Sequence, residues 1–460
     1  MRLGWAAFFT SAGLLGFELA LMRVLLAASW HHFAFLVISV VLLGFGASGT
    51  ALFLLRGKLV ALGERALFVL MIVSGSAMPI LCGLTQHVPI EARLVPALMW
   101  RQIGTWILYW ALLGVPFFLG AAALGLTLML ARQGVTRVYA ANLIGSAVGS
   151  VLLTAAMNYL PPEWLALLCG AFLWIGALGL RPWSATARAA ALATLAVGTA
   201  AYLVVDPPHI RLDPYKYGAY AQRLADQGSA QRLGVTYGPR AVVEAYGGEV
   251  FHDLPFLSGA APPPPLSVLL ADGHWIGSVL RISEAGQAAA LEDTVTAFAY
   301  AVAPQHPNVL LLGEGGGANV WLAARHDAAQ ITVVQPDAKV TAFLRGPLRE
   351  RGGAVLELPS VRAVIAEPRH FVDHTAQRFD LIQLVTLESS AAGSGGIGGL
   401  GQDHLTTVEG MTACIARLKD DGVLSVTRGI QVPPRDNLKL FATLAAALRR
   451  MGVASPAAHV

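Results

Sequence analysis

A glycine-rich loop in the second half of this sequence has the clearest chemical character. It contains Gly313, Glu314, Gly315 and Gly317, and it follows the short apolar run 309–312. Glycine lets the backbone turn sharply, so a ligand can approach main-chain N–H groups at the start of the next helix. Glycine clusters are common in turns, but the place between an apolar strand and a helix is more specific. The spacing predicts a nucleotide-type site.

Two polar residues follow the next apolar runs and could complete such a site. Gln335 ends the second run, at the position where an acidic residue binds ribose hydroxyls in dinucleotide and S-adenosyl sites. Glutamine can still hydrogen-bond a hydroxyl, without the charge-assisted strength of a carboxylate. Glu367 follows the third run, from which it could reach an adenine amino group. The alternative is a Rossmann-like domain that has lost its cofactor.

Other polar groups give weaker signals. His370, Asp373 and His374 lie on one expected helix, where histidines at i and i+4 could share a metal, but a solvated helix face is the simpler interpretation. Asp403 and His404 are typical of a polar turn, although they could assist catalysis. The three cysteines lack metal-type spacing. The sequence therefore predicts no metal site.

Strand-length apolar runs alternate with helical patterns from residue 306 to residue 460. The runs are 309–312, 331–334, 361–365, 380–385 and 422–427. This alternation predicts an α/β Rossmann-like domain with a parallel sheet. Residues 207–305 show short alternating runs and turn signals, which predict a small β-rich subdomain, and the segment 284–303 within it has helical periodicity. The chain stops where a sixth strand is expected, so the last domain is predicted to be truncated at its C-terminal end.

Residues 1–206 differ from the rest in composition. The chain has 460 residues, of which 55% are hydrophobic and 13% are charged, and charges are scarce in this first part. Soluble domains carry about 25% charged residues, and a membrane-spanning helix needs about 20 apolar residues. Seven runs satisfy that length: 5–29, 32–55, 66–85, 104–130, 138–157, 163–180 and 188–205. A multi-pass α-helical membrane domain is therefore predicted, in the cell inner (plasma) membrane.

Charges near these runs bear on topology. Glu18 and Arg23 lie in the first run. An ionisable residue inside a membrane span is costly, so Glu18 is expected either to pair with Arg23 or a neighbouring helix, or to have a role in transport or substrate binding. Lys and Arg are concentrated in loops on the N-terminal side, which places that side in the cytoplasm and explains the positive charge without nucleic-acid binding. Seven spans would put the C-terminal domain outside the cytoplasm. Six spans, with 188–205 on the surface, would return it to the cytoplasm.

Several segments resemble one known family. The runs VLLLGEGGGANV, ITVVQPDAKV, VIAEPRHFV and FDLIQLVTLE resemble the spermidine synthase group of Rossmann folds, which are of the S-adenosylmethionine methyltransferase type. The apolar segments ILYWALLGVPFFLGAA and VYAANLIGSAVGS resemble its membrane-fused branch, in which transmembrane helices precede a spermidine-synthase-like domain. The resemblance covers nearly the whole chain. It implies a role of the kind found in polyamine biosynthesis.

The resemblance also implies a substrate and a site. S-adenosylmethionine, or its decarboxylated form, would donate a methyl or aminopropyl group. The residues carried over as cofactor-binding are Gly313, Glu314, Gly315, Gly317, Gln335 and Glu367. Gly316 replaces the aspartate that soluble aminopropyltransferases have in this loop, and Gln335 replaces their ribose-binding acid. Soluble aminopropyltransferases have an aspartate-rich stretch after strand four, which this chain lacks. Glu388 follows that strand here, and the resemblance implies that it is the catalytic base.

Two functions of different classes follow. The first is a membrane-bound, spermidine synthase-like transferase that acts on an unknown acceptor. The second is a non-catalytic membrane scaffold or transporter with a degenerate Rossmann-like sensor domain. The expected partners are membrane lipid and a small-molecule amine or lipid-linked acceptor, with homodimer formation as a further option and no nucleic acid.

Overall fold

The computed structural model describes most of the chain in two compact units, Met1–Arg211 and Leu212–Val460. The described residues are 2–29, 31–90, 95–181, 184–252, 254, 257, 263, 265–386, 404–428 and 435–459. The predicted base Glu388 and the turn residue Asp403 lie outside them.

Long apolar helices make up the first unit. They are α1 Arg2–Ala28, α2 His31–Leu62, α3 Glu64–Thr85, α4 Met99–Leu130, α5 Val135–Ala156, α6 Pro162–Leu178 and α7 Ala185–Val205. By length and composition, the first five include segments apolar enough to cross a membrane, whereas Pro162–Leu178 and Ala189–Val205 are shorter apolar helices. Seven spans were predicted, and the described residues contain five candidate spans and two shorter apolar helices.

The core of the first unit forms around α1, most of which is buried. A side chain at Gly145 or Gly149 of α5 would collide with the backbone of Phe8 or Ala12 in α1. Glycine at these two positions therefore lets the two helices approach at backbone distance, as in membrane helix pairs that associate through small residues. Within α1, Arg23 is buried and Glu18 is half-buried. Their pairing stays a prediction.

A small antiparallel sheet opens the second unit. The helix α8 Tyr217–Asp226 precedes β1 Gln231–Thr236, β2 Val243–Gly247, β3 Leu266–Ala271 and β4 His274–Leu280. These strands pair in the order β1-β2-β3-β4, so residues 207–305 do contain the expected β-structure. The helical segment expected at 284–303 is instead divided into 3-10 turns and the short α9 Phe298–Val302. One break lies at Ala288, whose φ of −83° and ψ of 20° leave the helical region.

A parallel five-stranded sheet completes the second unit. Its strands are β5 Asn308–Leu312, β6 Gln330–Gln335, β7 Val361–Ile365, β8 Phe379–Thr386 and β9 Leu418–Arg428, in the order β7-β6-β5-β8-β9. The helices are α10 Ala318–Arg325, α11 Ala338–Arg345, α12 Pro368–His374, α13 Val408–Ala416 and α14 Arg435–Arg450. All four strand pairs are parallel, which confirms the predicted parallel sheet.

One hydrophobic core joins the two sheets of the second unit. It includes Ala245 and Val279 of the antiparallel sheet, Leu311 and Val333 of the parallel sheet, and the fully buried Trp321 of α10. Central parallel strands are covered on both faces, which is why their sequences are continuous apolar runs. This shared core fixes β4 against the glycine-rich loop.

Candidate active site

The sheet order brings three of the predicted site segments to one edge. β5, β6 and β7 are neighbours and parallel. The glycine-rich loop leaves the carboxyl end of β5, Gln335 ends β6, and Glu367 follows β7. Ligands of open α/β sheets bind in the crevice outside the carboxyl ends of the strands. The arrangement therefore forms a candidate binding edge.

Glycine is required at both ends of the loop. Gly313 has φ of 82° and Gly317 has φ of 86°, in the left-handed region that side-chain-bearing residues rarely adopt. Gly317 is also the N-cap residue of α10. The two glycines thus turn the chain out of β5 and into α10.

The carboxylate of Glu314 folds back into its own loop. Its Oε1 accepts hydrogen bonds from the N–H groups of Gly316 at 3.0 Å and Gly317 at 2.7 Å, and its Oε2 accepts one from Nδ2 of Asn319 at 2.6 Å. Glu314 is only 8% exposed. The N–H groups that would face an anionic ligand at the start of α10 are therefore bound to an internal carboxylate, which the sequence did not indicate.

Gln335 links the loop to the end of β6. Its Nε2 donates to the main-chain oxygen of Glu314 at 2.7 Å, and its Oε1 accepts from the N–H of Asp337 at 3.1 Å. The side chain is buried. In this structure the amide positions the loop, so a direct contact of Gln335 with a ribose stays a prediction.

The loop also packs against β4. A Cβ atom on Gly315 would collide with the carbonyl oxygen of Ile276, and one on Gly316 would collide with the backbone of Ser278. Gly277 faces the loop in the same way, against the backbone of Gly316. The glycine that replaces the expected aspartate at 316 is therefore explained by close packing, because no side chain fits between this loop and β4.

An ion pair lies at the outer part of the edge. Glu367 is the N-cap residue of α12, and its Oε1 accepts a hydrogen bond from Arg240, which lies between β1 and β2. The two side chains are 54% and 43% exposed. Glu367 is thus accessible to a ligand, but it already has a cationic partner. Sequence reasoning missed Arg240, since 127 residues separate it from Glu367.

Asp337 adds a second carboxylate that the sequence reasoning missed. It caps α11, with Oδ1 accepting from the N–H of Lys339 at 2.8 Å. Burial raises the pKa of Asp337, and the hydrogen bond from Lys339 and the charge of Arg240 oppose that rise. Asp337 lies two residues after the end of β6. This position in the sequence is the signal that could have identified it.

Tyr300 is an electrostatic neighbour of Glu314. Burial raises the pKa of Tyr300, and the negative charge of Glu314 raises it further. Its hydroxyl is buried, and no hydrogen-bond partner occurs for it within the described part of the chain. The phenol therefore stays protonated and can act as a donor, but not as a base.

Polar side chains of α12 contact groups on the same helix. Nδ1 of His374 is 2.8 Å from the carbonyl oxygen of His370, and Asp373 forms an ion pair with Arg369 at 2.9 Å. These contacts agree with the simpler interpretation of a helix surface. His404 is exposed.

Comparison with known proteins gives a short sequence match. No family model matches the chain. Polyamine aminopropyltransferases of Yersinia pestis (strain Pestoides F) and Yersinia pseudotuberculosis (serotype O:1b) are each 35% identical to it over 79 residues, which are 17% of this chain and 27% of theirs. The match supports a spermidine synthase-like family. The chain spans about a quarter of the length of these curated relatives.

Two solved structures show a weaker likeness. A spermidine synthase in complex with the transition state analogue AdoDATO has a TM-score of 0.33 and 18% identity, over 47% of this chain and 63% of its own. The spermidine synthase from Thermotoga maritima has a TM-score of 0.32 and 18% identity, over 47% and 62%. The resemblance to spermidine synthases predicted from the sequence is thus confirmed by the sequence match.

Proposed function

We propose that the second unit binds an adenosyl sulfonium substrate at the carboxyl edge of β5, β6 and β7. The substrate would be S-adenosylmethionine or its decarboxylated form, and the enzyme would transfer a methyl or aminopropyl group. The supports are the match to polyamine aminopropyltransferases, the parallel sheet order and the glycine-rich loop at the end of β5.

The observation that carries this proposal is the internal carboxylate of Glu314. A helix N-terminus with free N–H groups favours phosphate. Here the N–H groups of Gly316 and Gly317 are bound to Glu314, so a phosphate would meet a negative charge and find those donors engaged. A phosphate-free cation meets neither obstacle. This edge therefore favours an adenosyl sulfonium over a dinucleotide or ATP.

The other groups at the edge match the polar parts of such a substrate. The accessible carboxylate of Glu367 would accept a hydrogen bond from the adenine amino group, in exchange for Arg240. Asp337 would accept from a ribose hydroxyl with the charge-assisted strength that Gln335 lacks. Gln335 would then keep its bond to the loop, and its role would be to position Glu314.

The proposed reaction is a displacement at the carbon bound to sulfur. The nitrogen lone pair of an acceptor amine forms the new C–N bond, and the C–S electrons move to sulfur, which becomes a neutral thioether. The amine proton passes to a base, for which Glu388 is the candidate predicted from the sequence. Such a reaction needs mainly positioning and one base.

We further propose that the first unit anchors the protein in the plasma membrane. Large apolar side chains of α2, α4 and α5 are exposed in the unit, including Phe53 at 79%, Leu43 at 72%, Val151 at 69% and Ile107 at 65%. Exposed apolar surface of this extent is costly in water and favourable in lipid. Membrane lipid would surround these helices, and the acceptor would be a small amine or a lipid-linked amine.

Ligand selectivity tests the proposal. The full chain in detergent is titrated calorimetrically with S-adenosylmethionine, its decarboxylated form, ATP and NAD. We expect one adenosyl sulfonium to bind, ATP and NAD not to bind, and Glu367→Gln to weaken binding about tenfold. Glu357→Gln is the matched control, because Glu357 pairs with Arg349 on the surface. Preferential binding of ATP or NAD would refute the proposal.

A second candidate function rests on the same contacts read differently. The loop N–H groups and the Gln335 amide are bonded within the protein, as expected of a Rossmann-like domain that serves a membrane scaffold or transporter without catalysis. Glu388→Gln separates the two candidates. Loss of transfer with retained sulfonium binding supports the enzyme, whereas a cellular function that is unchanged in this variant supports the scaffold.

A further inference from the structure

A cluster of two histidines and one aspartate lies at one end of the first unit. His87 follows α3, and Asp206 and His209 follow α7. One ligand atom from each of the three lies within 4.8 Å of the others. Nε2 of His87 is 3.2 Å from Oδ2 of Asp206, and Nδ1 of His209 is 3.7 Å from Oδ1 of the same carboxylate.

We propose that His87, Asp206 and His209 form a site for one divalent transition-metal ion of the zinc type. Imidazole and carboxylate are the ligands that Zn²⁺ accepts besides thiolate, and three protein ligands leave a fourth position open. Zinc ligands lie about 2.0–2.1 Å from the ion and hence roughly 3.4 Å from one another. Small side-chain rotations would bring the three atoms from their present spacing to that distance.

Two hydrogen bonds join the segments that carry the three ligands. Gln86 accepts a hydrogen bond from the N–H of Arg211 at 3.1 Å, and Tyr202 donates to the carbonyl oxygen of Pro79 at 3.2 Å. Both bonds join the segment around the end of α7 to α3 on either side of the cluster. The segment that carries His87 and the segment that carries Asp206 and His209 are therefore adjacent without an ion.

Binding of an ion by Nδ1 of His209 would replace a contact that this atom now makes. Nδ1 is 3.0 Å from the carbonyl oxygen of Pro207, and a ring nitrogen that donates its proton to a carbonyl cannot bind a metal ion at the same time. The imidazole would therefore bind the ion in the tautomer with its proton on Nε2. The side chains of His87 and His209 are 56% and 45% exposed, so an ion can reach them from solvent.

The bound ion would act as a clasp between the end of α3 and the segment that follows α7. This role is separate from the adenosyl site, because all three ligands belong to the first unit. The ordinary alternative is a contact of Asp206 with the two imidazole rings, without an ion.

Metal titration of the full chain distinguishes the two. The protein is purified in detergent without a polyhistidine tag, stripped with a chelator and titrated with Zn²⁺ by calorimetry and with Co²⁺ by visible absorption. We expect one saturable equivalent. His87→Ala and His209→Ala should each weaken binding at least tenfold, and Asp206→Asn, which keeps the size of the side chain, should weaken it as well.

The double variant His370→Ala, His374→Ala is the matched control, because that pair also places two imidazole rings together, 4.1 Å apart. Binding lost in this control and kept in the His87 and His209 variants would overturn the proposal, as would the absence of saturable binding. A cluster variant that is unstable in chelator would not be informative, so the parent protein provides a second measurement. Zn²⁺ should protect His87 and His209 of the parent from modification by diethylpyrocarbonate, and a lack of protection would overturn the proposal.

Discussion

At the residue scale, the glycine-rich loop is determined by packing as much as by a ligand. Gly315 and Gly316 are small because β4 lies against them, and Glu314 satisfies the loop N–H groups from within. A close approach of two backbones demands glycine for the same steric reason as a close approach of a ligand. A glycine motif in the sequence therefore does not say which of the two it serves.

Substitution at Gly316 tests this interpretation. Gly316→Ala should lower the stability of the second unit by about 1–3 kcal/mol, the usual cost of overpacking, because its Cβ meets the backbone of Ser278. Gly316→Asp should be worse, although it restores the residue expected from the family. The measurement is the melting temperature of the full chain, with Gly286→Ala as control, since nothing lies within 4 Å of that position. Equal melting of Gly316→Ala and the control would contradict the packing argument.

Sequence reasoning located this loop but not its internal contacts. The loop follows an apolar strand in a recognisable pattern, which is local information. The bonds of Glu314 depend on the loop conformation, and the pairing of Arg240 with Glu367 crosses 127 residues. His87 and Asp206 are 119 residues apart, so the absence of a metal motif in the sequence said nothing about them.

At the element scale, one carboxylate ties together the beginnings of three strands. Oδ2 of Asp380 in β8 accepts from the main-chain N–H of Asn308 in β5 at 2.9 Å and from Nζ of Lys419 in β9 at 2.7 Å. Burial alone would raise the pKa of Asp380, but the hydrogen bonds from Lys419 and Asn308 outweigh it and hold that pKa below the ordinary value. The carboxylate thus stabilises the strand order in its charged form.

The pH dependence of stability follows from this shift. Because the folded-state pKa of Asp380 is lowered, its stabilisation is fully present above the unfolded value of about 3.9 and is lost as the pH falls through the folded value. Asp380→Asn should lower the free energy of unfolding by about 1–3 kcal/mol at neutral pH. On acidification, the free energy of unfolding of this variant should fall less than that of the parent protein. Denaturant unfolding at neutral and acidic pH measures both effects. A parallel loss in parent and variant would show that Asp380 does not contribute to the acid dependence.

The strands were predictable because their signal is local. Each apolar run of the parallel sheet corresponds to an observed strand, and β9 begins at Leu418, earlier than the run starting at 422 suggested. The prediction of a helix over 284–303 was wrong. Its apolar residues have helical spacing, but the backbone breaks at Ala288, whose side chain lies in the core of the second unit. Packing in this core overrides the local periodicity.

At the scale of the whole molecule, the number of spans decides which compartment the second unit occupies. Among the described residues, five helices are long and apolar enough to cross a membrane, so the number of spans depends on whether the shorter α6 and the apolar part of α7 also cross. α6 has 17 residues with a high apolar content, which is at the lower limit for a span. The adenosyl sulfonium proposal requires a cytoplasmic second unit, because its substrate is a cytoplasmic metabolite.

Reporter fusions at Val460 test that requirement directly. One reporter is active only in the cytoplasm and the other only outside it, and fusions at residues 63 and 160, in the loops after α2 and α5, calibrate the two sides. Arg56, Lys58 and Arg65 surround the first loop, so the positive-inside rule predicts a cytoplasmic signal there. We expect the Val460 fusion to match it if the transferase proposal holds. A match to the opposite side would separate the second unit from its proposed substrate and would favour the scaffold or transporter, since no arrangement of the edge residues compensates for an absent ligand.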